Sequence, residues 1–221
     1  MENLPKDYVL LIMNCVKYRY KSAKQKETWL SKNDIPYYHV LGNPLLEKTH
    51  EFDEEERILW VKTEDDYNSL PKKVIASYAA IYKCFPQIQY IFKTDDDQMF
   101  QSKNIYKFFH KMMAILEEKA KVQKVHYGGH IVNVERPYLS RYHLIHPELP
   151  PNLPVHATQY CSGRFYFLSI DAVCDILHKR EFICREYLED YAIGLNLGSR
   201  YKQSILQLKT DFFFKDMQQP I

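Results

Sequence analysis

Several features that mark specialised classes of protein are scarce or missing from this 221-residue sequence. Glycine occurs six times, and there is no internal repeat and no low-complexity linker. The longest apolar run near the start, residues 8–13, is far shorter than the roughly 20 residues that a membrane-spanning helix needs. No basic segment with a small-residue cleavage site precedes it. We therefore expect no membrane segment and a cytoplasmic protein.

An excess of one charge is also lacking, with 30 basic and 28 acidic residues and a net charge of +2. Such a balance gives no general attraction to nucleic acid or to an anionic membrane, so any charged site must be local. The five cysteines include no CxxC pair and are odd in number, which favours reduced thiols over a disulfide framework. The chain is long enough to bury roughly 70% of its unfolded surface in one domain, residues 1–221.

Strand-like and helix-like segments alternate along the chain. Short β-branched and aromatic runs predict strands at 8–14, 36–42, 57–62, 88–93, 125–134 (broken by Gly128 and Gly129), 164–168 and 205–208. Longer segments, several with one apolar face, predict helices at 21–32, 71–85, 102–121 (with Ser102 as N-cap), 171–179 and 187–197. The alternation predicts an α/β fold, with a central, mostly parallel, twisted sheet and helices on both faces.

Three other segments lack such a pattern. Residues 47–56 are predicted to be an acidic surface segment. Residues 135–159 contain five prolines and are predicted to be a long loop, which inside a compact domain is more often functional than idle. The aromatic tail, residues 211–220, is predicted to be either a lid or a strand that completes the sheet.

Three consecutive carboxylates, Asp95, Asp96 and Asp97, follow the predicted strand 88–93. Two carboxylates about 4 Å apart repel by about 4 kcal/mol at an effective dielectric constant near 20, so a partly buried cluster needs a cation or a proton. Mg²⁺ and Mn²⁺ use one or two carboxylates and fill their other positions with water and phosphate oxygens. An extended chain would place Asp95 and Asp97 on one face and Asp96 on the other. The triplet predicts a metal and nucleotide site, with a solvated acidic turn as the alternative.

The segment YIFKTDDDQMF resembles the strand and DxD turn of the β-1,3-galactosyltransferase and N-acetylglucosaminyltransferase family, which includes the Fringe-type enzymes. Further segments resemble the family's motifs in the same order, across residues 21–197: KQKETWL, YYHVLG, DDYNSLPKKV, HYGGHIV, SRYHLIHPE, YCSGRFYFLS and LEDYAIGLNL. The resemblance implies a single GT-A domain, with a nucleotide-binding half at about 1–100 and an acceptor-binding half at about 101–221. It also implies an inverting hexosyltransferase that uses a UDP-sugar donor.

The resemblance implies roles for individual residues as well. Asp97 would hold Mn²⁺ or Mg²⁺ together with Asp95, which would also orient the turn, and Asp96 would contact the ribose. The remaining residues implied at the donor site are Asn14, Lys21, Asp65, Tyr67, Lys73, Ser162 and Gly163.

Some positions depart from the family's pattern. Family members have a late histidine that completes the metal site, whereas the last histidine here is His178. Asp211 or Asp216, or water and diphosphate, would then fill the shell. Arg164 and Phe165 replace the residues usual after the CSG motif, so we expect a differently shaped acceptor pocket.

The cysteine of YCSG pairs with an earlier cysteine in secreted relatives of this kind. The matching positions here are Cys161 and Cys84. The resemblance therefore leaves two alternatives open, a disulfide or two reduced thiols that pack as small apolar groups.

Inverting sugar transfer needs a base for the acceptor hydroxyl group and stabilisation of the departing diphosphate. Asp190, at the position of the family's E-D motif, is the predicted base, and we expect partial burial to raise its pKa. Glu189 is expected to act as a neighbouring like charge or as an acceptor-binding group. Without the resemblance, these residues would be read as an exposed helix face.

Two other functions remain open. A phosphatase or phosphotransferase would use Asp95 as nucleophile and Asp97 as acid, although such folds place that motif on the first strand. A carbohydrate-binding domain that has lost catalysis would account for the missing late histidine. The expected partners are a nucleotide sugar and a glycan acceptor, with no nucleic acid, and the chain is compatible with being part of a larger multidomain protein.

Overall fold

A central mixed sheet organises the residues that the computed structural model describes, which are 7–30, 35–101 and 104–217. The strands of the first half are β1 (Tyr8–Met13), β2 (Tyr37–Gly42), β3 (His50–Asp53), β4 (Ile58–Val61), β5 (Tyr90–Asp95) and β6 (Gln98–Phe100). Those of the second half are β7 (Tyr127–Val134), β8 (Tyr138–Ser140), β9 (Leu153–Val155), β10 (Thr158–Ser169), β11 (Leu206–Gln207) and β12 (Phe214–Asp216).

Seven α-helices connect these strands within the described residues. They are α1 (Arg19–Gln25), α2 (Leu70–Cys84), α3 (Ile105–Ala120), α4 (Ile170–His178), α5 (Arg180–Ile183), α6 (Glu189–Asn196) and α7 (Ser199–Lys202). A π-helical turn, Lys26–Leu30, continues α1. Short 3₁₀ turns lie at Val16–Tyr18, Tyr142–Leu144 and Thr210–Phe212.

The main sheet has the strand order β11-β7-β10-β5-β1-β2-β4-β3 in the described part of the chain. Strand β1 pairs in parallel with β2 and β5, and β2 pairs in parallel with β4. Strand β10 runs antiparallel to both β5 and β7, and β3 runs antiparallel to β4. The other six strands share one direction, which confirms the predicted mostly parallel sheet.

Alternating side chains of the buried strands divide the core into two layers. Val9 and Leu11 of β1 pack on one face with buried residues of α2, α4 and α6. Leu10 and Ile12 pack on the other face with α3 and Trp29. Helices therefore cover both faces, as predicted. Because β1 is buried on both sides, every one of its positions is apolar.

The ends of two helices differ from the predictions. Asn104 caps α3, since its side chain accepts a hydrogen bond from the backbone N–H of Lys107 at 2.8 Å. The predicted cap, Ser102, lies outside the described residues. The first predicted helix, 21–32, begins earlier, at Arg19, and changes to a π-helical turn after Gln25, and its last two residues lie outside the described part.

Two segments that were predicted to be surface or loop contain strands. Residues 47–56 were expected to be acidic surface, but they include β3, whose Phe52 packs against the core. The predicted loop 135–159 includes β8 and β9, which pair with each other, and the start of β10. Strand β10 therefore begins six residues before the predicted strand at 164. Backbone pairing, rather than apolar alternation, stabilises these segments.

The glycines of β7 do not break it, which corrects the prediction. A Cβ atom on Gly128 would lie 2.4 Å from the Phe167 ring, and one on Gly129 would lie 2.8 Å from the Cβ of Cys161. The absence of a side chain at both glycines leaves room for the side chains of β10 to pack against the β7 backbone.

The aromatic tail does not extend the main sheet within its described residues, and its role as a lid stays a prediction. Its strand β12 pairs antiparallel with β6 in a separate two-stranded sheet, and Phe214 is buried. Residues 218–220 of the predicted tail segment lie outside the described part. The tail thereby packs beside the turn that carries Asp96 and Asp97.

Candidate active site

The predicted site residues of the first half gather at the carboxyl ends of β1, β4 and β5. The ammonium group of Lys73 on α2 donates to the backbone oxygen of Asn14 at 2.8 Å and to the carboxylate of Asp65 at 2.5 Å. The same carboxylate accepts hydrogen bonds from the backbone N–H groups of Val16 and Gly42, at 2.6 and 2.7 Å. Asp65 thus ties the segments that follow β1 and β2 to the segment that follows β4.

The acidic triplet forms a strand end and a turn. Asp95 is the last residue of β5, and Asp96 and Asp97 make the turn to β6. The backbone at Asp96 and Asp97 is therefore not extended, which corrects the extended chain that was expected through the triplet. The backbone N–H of Asp96 donates to the oxygen of Met13 at 3.0 Å, and its carboxylate pairs with Lys21 at 2.9 Å. Burial raises the pKa of Asp96 to about 6, although Lys21 opposes the shift.

The carboxylate of Asp97 is linked to the tail through a buried amide. The side-chain nitrogen of Gln98 donates to Asp97 at 2.8 Å and to Asp216 at 3.0 Å. Arg164 pairs with Asp216 at 2.9 Å and with Asp211 at 2.7 Å. Arg164, which departs from the family's pattern, therefore holds the tail beside the acidic turn.

Lys93 is a buried cation that the sequence analysis missed. Its side chain is 1% exposed, and its ammonium group lies 2.6 Å from Asp95 and 3.0 Å from Glu189. Burial alone lowers the pKa of Lys93, but the charges of Asp95 and Glu189 outweigh burial and raise it. A lysine two residues before Asp95, in an otherwise apolar strand, was the available signal, because such residues share one face of the strand.

Asp190 and Glu189 begin α6 and differ in their surroundings. One oxygen of Asp190 accepts from the backbone N–H of Gly163 at 2.8 Å, and the other accepts from its neighbour Tyr191 at 2.7 Å. Burial, followed by the charge of Glu189, raises the pKa of Asp190, as expected. Glu189 is almost fully buried, pairs with Lys93 and accepts a hydrogen bond from the hydroxyl group of Tyr166.

A cavity of about 300 Å³ opens between these carboxylates. Asp95 lies on its wall, as do Glu189 and Asp190. Ser162 and Gly163 also line it, where the pairing of β10 with β7 shifts register between Cys161 and Tyr166. Tyrosines supply much of the remaining wall: Tyr67, Tyr138, Tyr142, Tyr160, Tyr187 and Tyr191. The predicted residues Asn14, Lys21, Asp65, Lys73, Asp96 and Asp97 are not part of this wall.

Part of the predicted long loop closes one side of the cavity. The ring of His146 stacks on Tyr67, with centroids 4.4 Å apart and an interplanar angle of 9°. The side-chain amide of Asn68 donates to the backbone oxygen of Glu148 at 2.8 Å. These contacts join the loop to the segment after β4.

The residues around the acidic turn fit a hard divalent ion, although the described residues contain no group of three or more carboxylate, histidine or cysteine side chains arranged to hold one. Asp97 and Asp95 supply oxygen donors, and Mg²⁺ or Mn²⁺ needs only one or two carboxylates when phosphate and water complete the shell. Burial raises the pKa of Asp95 to about 7 despite Lys93, and the Asp97 charge adds to the shift. A cation would relieve this excess of negative charge.

Cys84 and Cys161 do not form a disulfide. Both thiols are free, with Cys84 exposed and Cys161 buried beside Tyr127. The Cys84 sulfur lies 3.3 Å from a ring nitrogen of His50. Of the two alternatives, the reduced one is therefore found.

The family model described as "Galactosyltransferase" matches residues 23–203 of the chain. No curated protein gives a significant match. Along the described residues, no helix has the length and apolar content to cross a membrane.

Two solved structures resemble the chain at low similarity. The first is a glycosyltransferase involved in the glycosylation of the major capsid of PBCV-1, with 14% identity, a TM-score of 0.46 and coverage of 92% of this chain and 82% of the other. The second is apo mouse xyloside xylosyltransferase 1, with 11% identity, a TM-score of 0.41 and coverage of 92% and 85%. At these scores, neither bears on the substrate of this chain.

Proposed function

Because this chain belongs to the galactosyltransferase family, it is a glycosyltransferase, and we propose that it transfers a sugar from a UDP-sugar to a hydroxyl group of a glycan acceptor with inversion. One observation carries this proposal: Asp95, at the start of the acidic turn, and Asp190 line the same cavity at the carboxyl edge of the sheet. Ligands of open α/β sheets bind at such an edge.

Asp190 is suited to act as the base. Two backbone N–H groups fix its carboxylate, and each oxygen keeps a lone pair for an acceptor hydroxyl group. Its raised pKa makes it a better proton acceptor than an ordinary aspartate. As the acceptor oxygen bonds to the anomeric carbon, its proton passes to Asp190, and the bond from that carbon to the phosphate oxygen breaks to release UDP.

The acidic turn is suited to the donor side of the reaction. Asp97 and Asp95 would hold the divalent ion, which supplies Lewis-acid stabilisation of the diphosphate's negative charge. Lys21 fixes Asp96, and Lys93 fixes Asp95, so the turn keeps its shape while the nucleotide exchanges. Gln98 and the tail orient the carboxylate of Asp97.

A matched pair of variants tests this division of roles. Asp97→Ala should lose the Mn²⁺-dependent stabilisation by UDP, because the ion loses its main carboxylate. Asp190→Asn should keep that stabilisation but lose sugar transfer, by roughly 100-fold or more, because it lacks the base. Thermal unfolding with UDP-sugars, with and without Mn²⁺, measures binding, and a ligand at 100 times its Kd adds about 2.7 kcal/mol. Release of UDP with an acceptor panel measures transfer.

Other outcomes would contradict the proposal. Nucleotide affinity unchanged in Asp97→Ala would place the metal elsewhere, and turnover retained by Asp190→Asn would exclude it as the base. Hydrolysis of p-nitrophenyl phosphate would favour a phosphatase. Acceptor binding without sugar release from any UDP-sugar would favour a binding domain.

A further inference from the structure

An exposed apolar cluster lies on the loop beside the cavity. Five of the fourteen large apolar side chains exposed in the described part of the chain fall within residues 138–145. We call these five residues the loop patch: Tyr138, Leu139, Tyr142, Leu144 and Ile145. Leu144 and Ile145 are each 71% exposed. Apolar side chains that cluster on a surface in this way mark interaction sites more often than single ones do.

Two residues of the loop patch reach the cavity. Tyr138 and Tyr142 belong to the patch and also line the cavity that holds Asp190. Leu144 and Ile145 follow Tyr142 by two and three residues in the chain, and both are exposed to solvent. An acceptor whose hydroxyl group contacts Asp190 can therefore extend out of the cavity past the rings of Tyr138 and Tyr142.

Hydrogen bonds and ring contacts hold the loop patch in place. The backbone N–H of Tyr142 donates to the hydroxyl oxygen of Ser140 at 3.2 Å, and that of Ile145 donates to the oxygen of Tyr142 at 2.9 Å. The rings of Tyr142 and His146 lie 4.7 Å apart, and His146 stacks on Tyr67. A surface that is fixed before binding loses little conformational entropy when a ligand covers it.

We propose that the acceptor carries an apolar aglycone, an alkyl or aryl group bonded to the anomeric oxygen of its sugar, and that the loop patch binds this group while the sugar occupies the cavity. The inference rests on the proposed function, because it assigns the cavity to the acceptor. It adds the chemical class of that acceptor.

Binding of paired glycosides tests the inference without requiring turnover. Octyl and methyl β-glycosides of the same sugar, kept below the micelle concentration, are titrated against the purified chain by calorimetry for several sugars. We expect the octyl compound to bind at least about tenfold more tightly, which burial of two methylene groups would give.

The double variant Leu144→Ser/Ile145→Ser should reduce this ratio to near one without changing the affinity for the methyl glycoside. Leu45→Ser and Val122→Ser are matched controls, because these side chains are 88% and 94% exposed and lie outside the patch. They should leave the ratio unchanged.

Two results would overturn the inference. The first is equal binding of the two glycosides. The second is a preference for octyl that the double variant retains. If that variant has also lost self-association in sedimentation or binding to phospholipid vesicles, a second copy or a bilayer covers the patch instead. Failure of the proposed function would give a different result from failure of this inference. Sugar transfer would then be absent while the binding preference for the octyl glycoside persisted.

Discussion

Lys93 links the two halves of the candidate site at the scale of a single side chain. It contacts Asp95 at the donor side and Glu189 at the start of α6, and it also donates to the backbone oxygen of Gly163 at 3.0 Å. Because the side chain of Lys93 is buried, its ammonium group depends on these partners and not on bulk water. Loss of the cation would leave the buried carboxylate of Glu189 and the partly buried carboxylate of Asp95 without a counter-charge.

We therefore expect Lys93→Met to lower the free energy of unfolding by about 3–5 kcal/mol, as is typical when one partner of a buried ion pair is removed. Urea unfolding measures the change. The control is Lys124→Met, which removes an exposed pair with Asp171 at 2.6 Å and should cost about 0–1 kcal/mol. Equal losses in the two variants would contradict the structural role of Lys93. Adding Glu189→Gln to Lys93→Met should restore part of the loss.

At the scale of elements, close packing of α6 on β10 positions Asp190. A Cβ atom on Gly194 of α6 would lie 2.2 Å from the Cβ and 2.7 Å from the Cα of Tyr160 on β10. Since the second of these atoms is backbone, no side-chain rotation relieves the clash. Only glycine allows the helix to approach β10 this closely.

Gly194→Ala should displace α6, lower stability by about 1–3 kcal/mol and reduce transfer, because Asp190 moves with the helix. Thermal unfolding and a transfer assay measure the two effects. Gly198→Ala is the matched control, since the nearest atom to a Cβ on Gly198 would be a side-chain oxygen of Asp175 at 3.2 Å. This variant should change both quantities less. Full activity in Gly194→Ala would show that the position of α6 does not limit catalysis.

The elements with strong local signals were predictable. The apolar run of β1, the proline at the start of α2 and the acidic end of β5 all appear where the sequence predicted them. Strands β3, β8 and β9 were missed because they are only three or four residues long and are stabilised by pairing with the adjacent strand, not by their own composition. In the site, the motif residues could be named from the sequence. The contacts of Lys93 with Glu189, of Gln98 with Asp216 and of Arg164 with Asp216 could not, because they join residues far apart in the chain.

At the scale of the whole molecule, stability depends on pH through a buried histidine. Burial, aided by the charge of Lys26, lowers the pKa of His39 on β2 to about 3. Neither ring nitrogen has a hydrogen-bond partner among the described residues. The unfolded chain binds a proton at His39 below about pH 6.5, whereas the folded protein does so only near pH 3.

Protonation of His39 in the unfolded chain should therefore lower the free energy of unfolding as pH falls from 6.5 towards 3, by up to about 1.4 kcal/mol per pH unit. Asp95 and Asp96 have raised pKa values and act in the opposite direction, so the comparison must be with His39→Leu, in which their contribution is retained. Urea unfolding from about pH 7.5 to about pH 5 should show a shallower loss for the variant. Parallel pH curves would contradict this prediction.

The antiparallel strand β10 has a consequence for how the protein is made. It pairs with one edge of β5 but follows β5 by about seventy residues in the chain. The hydrogen bonds of Lys93 with Gly163 and of Thr94 with Arg164 each span that separation. During synthesis, an apolar strand with unpaired backbone groups is therefore left open until β10 leaves the ribosome. This interval is when we expect the growing chain to be most prone to aggregation and most dependent on chaperones.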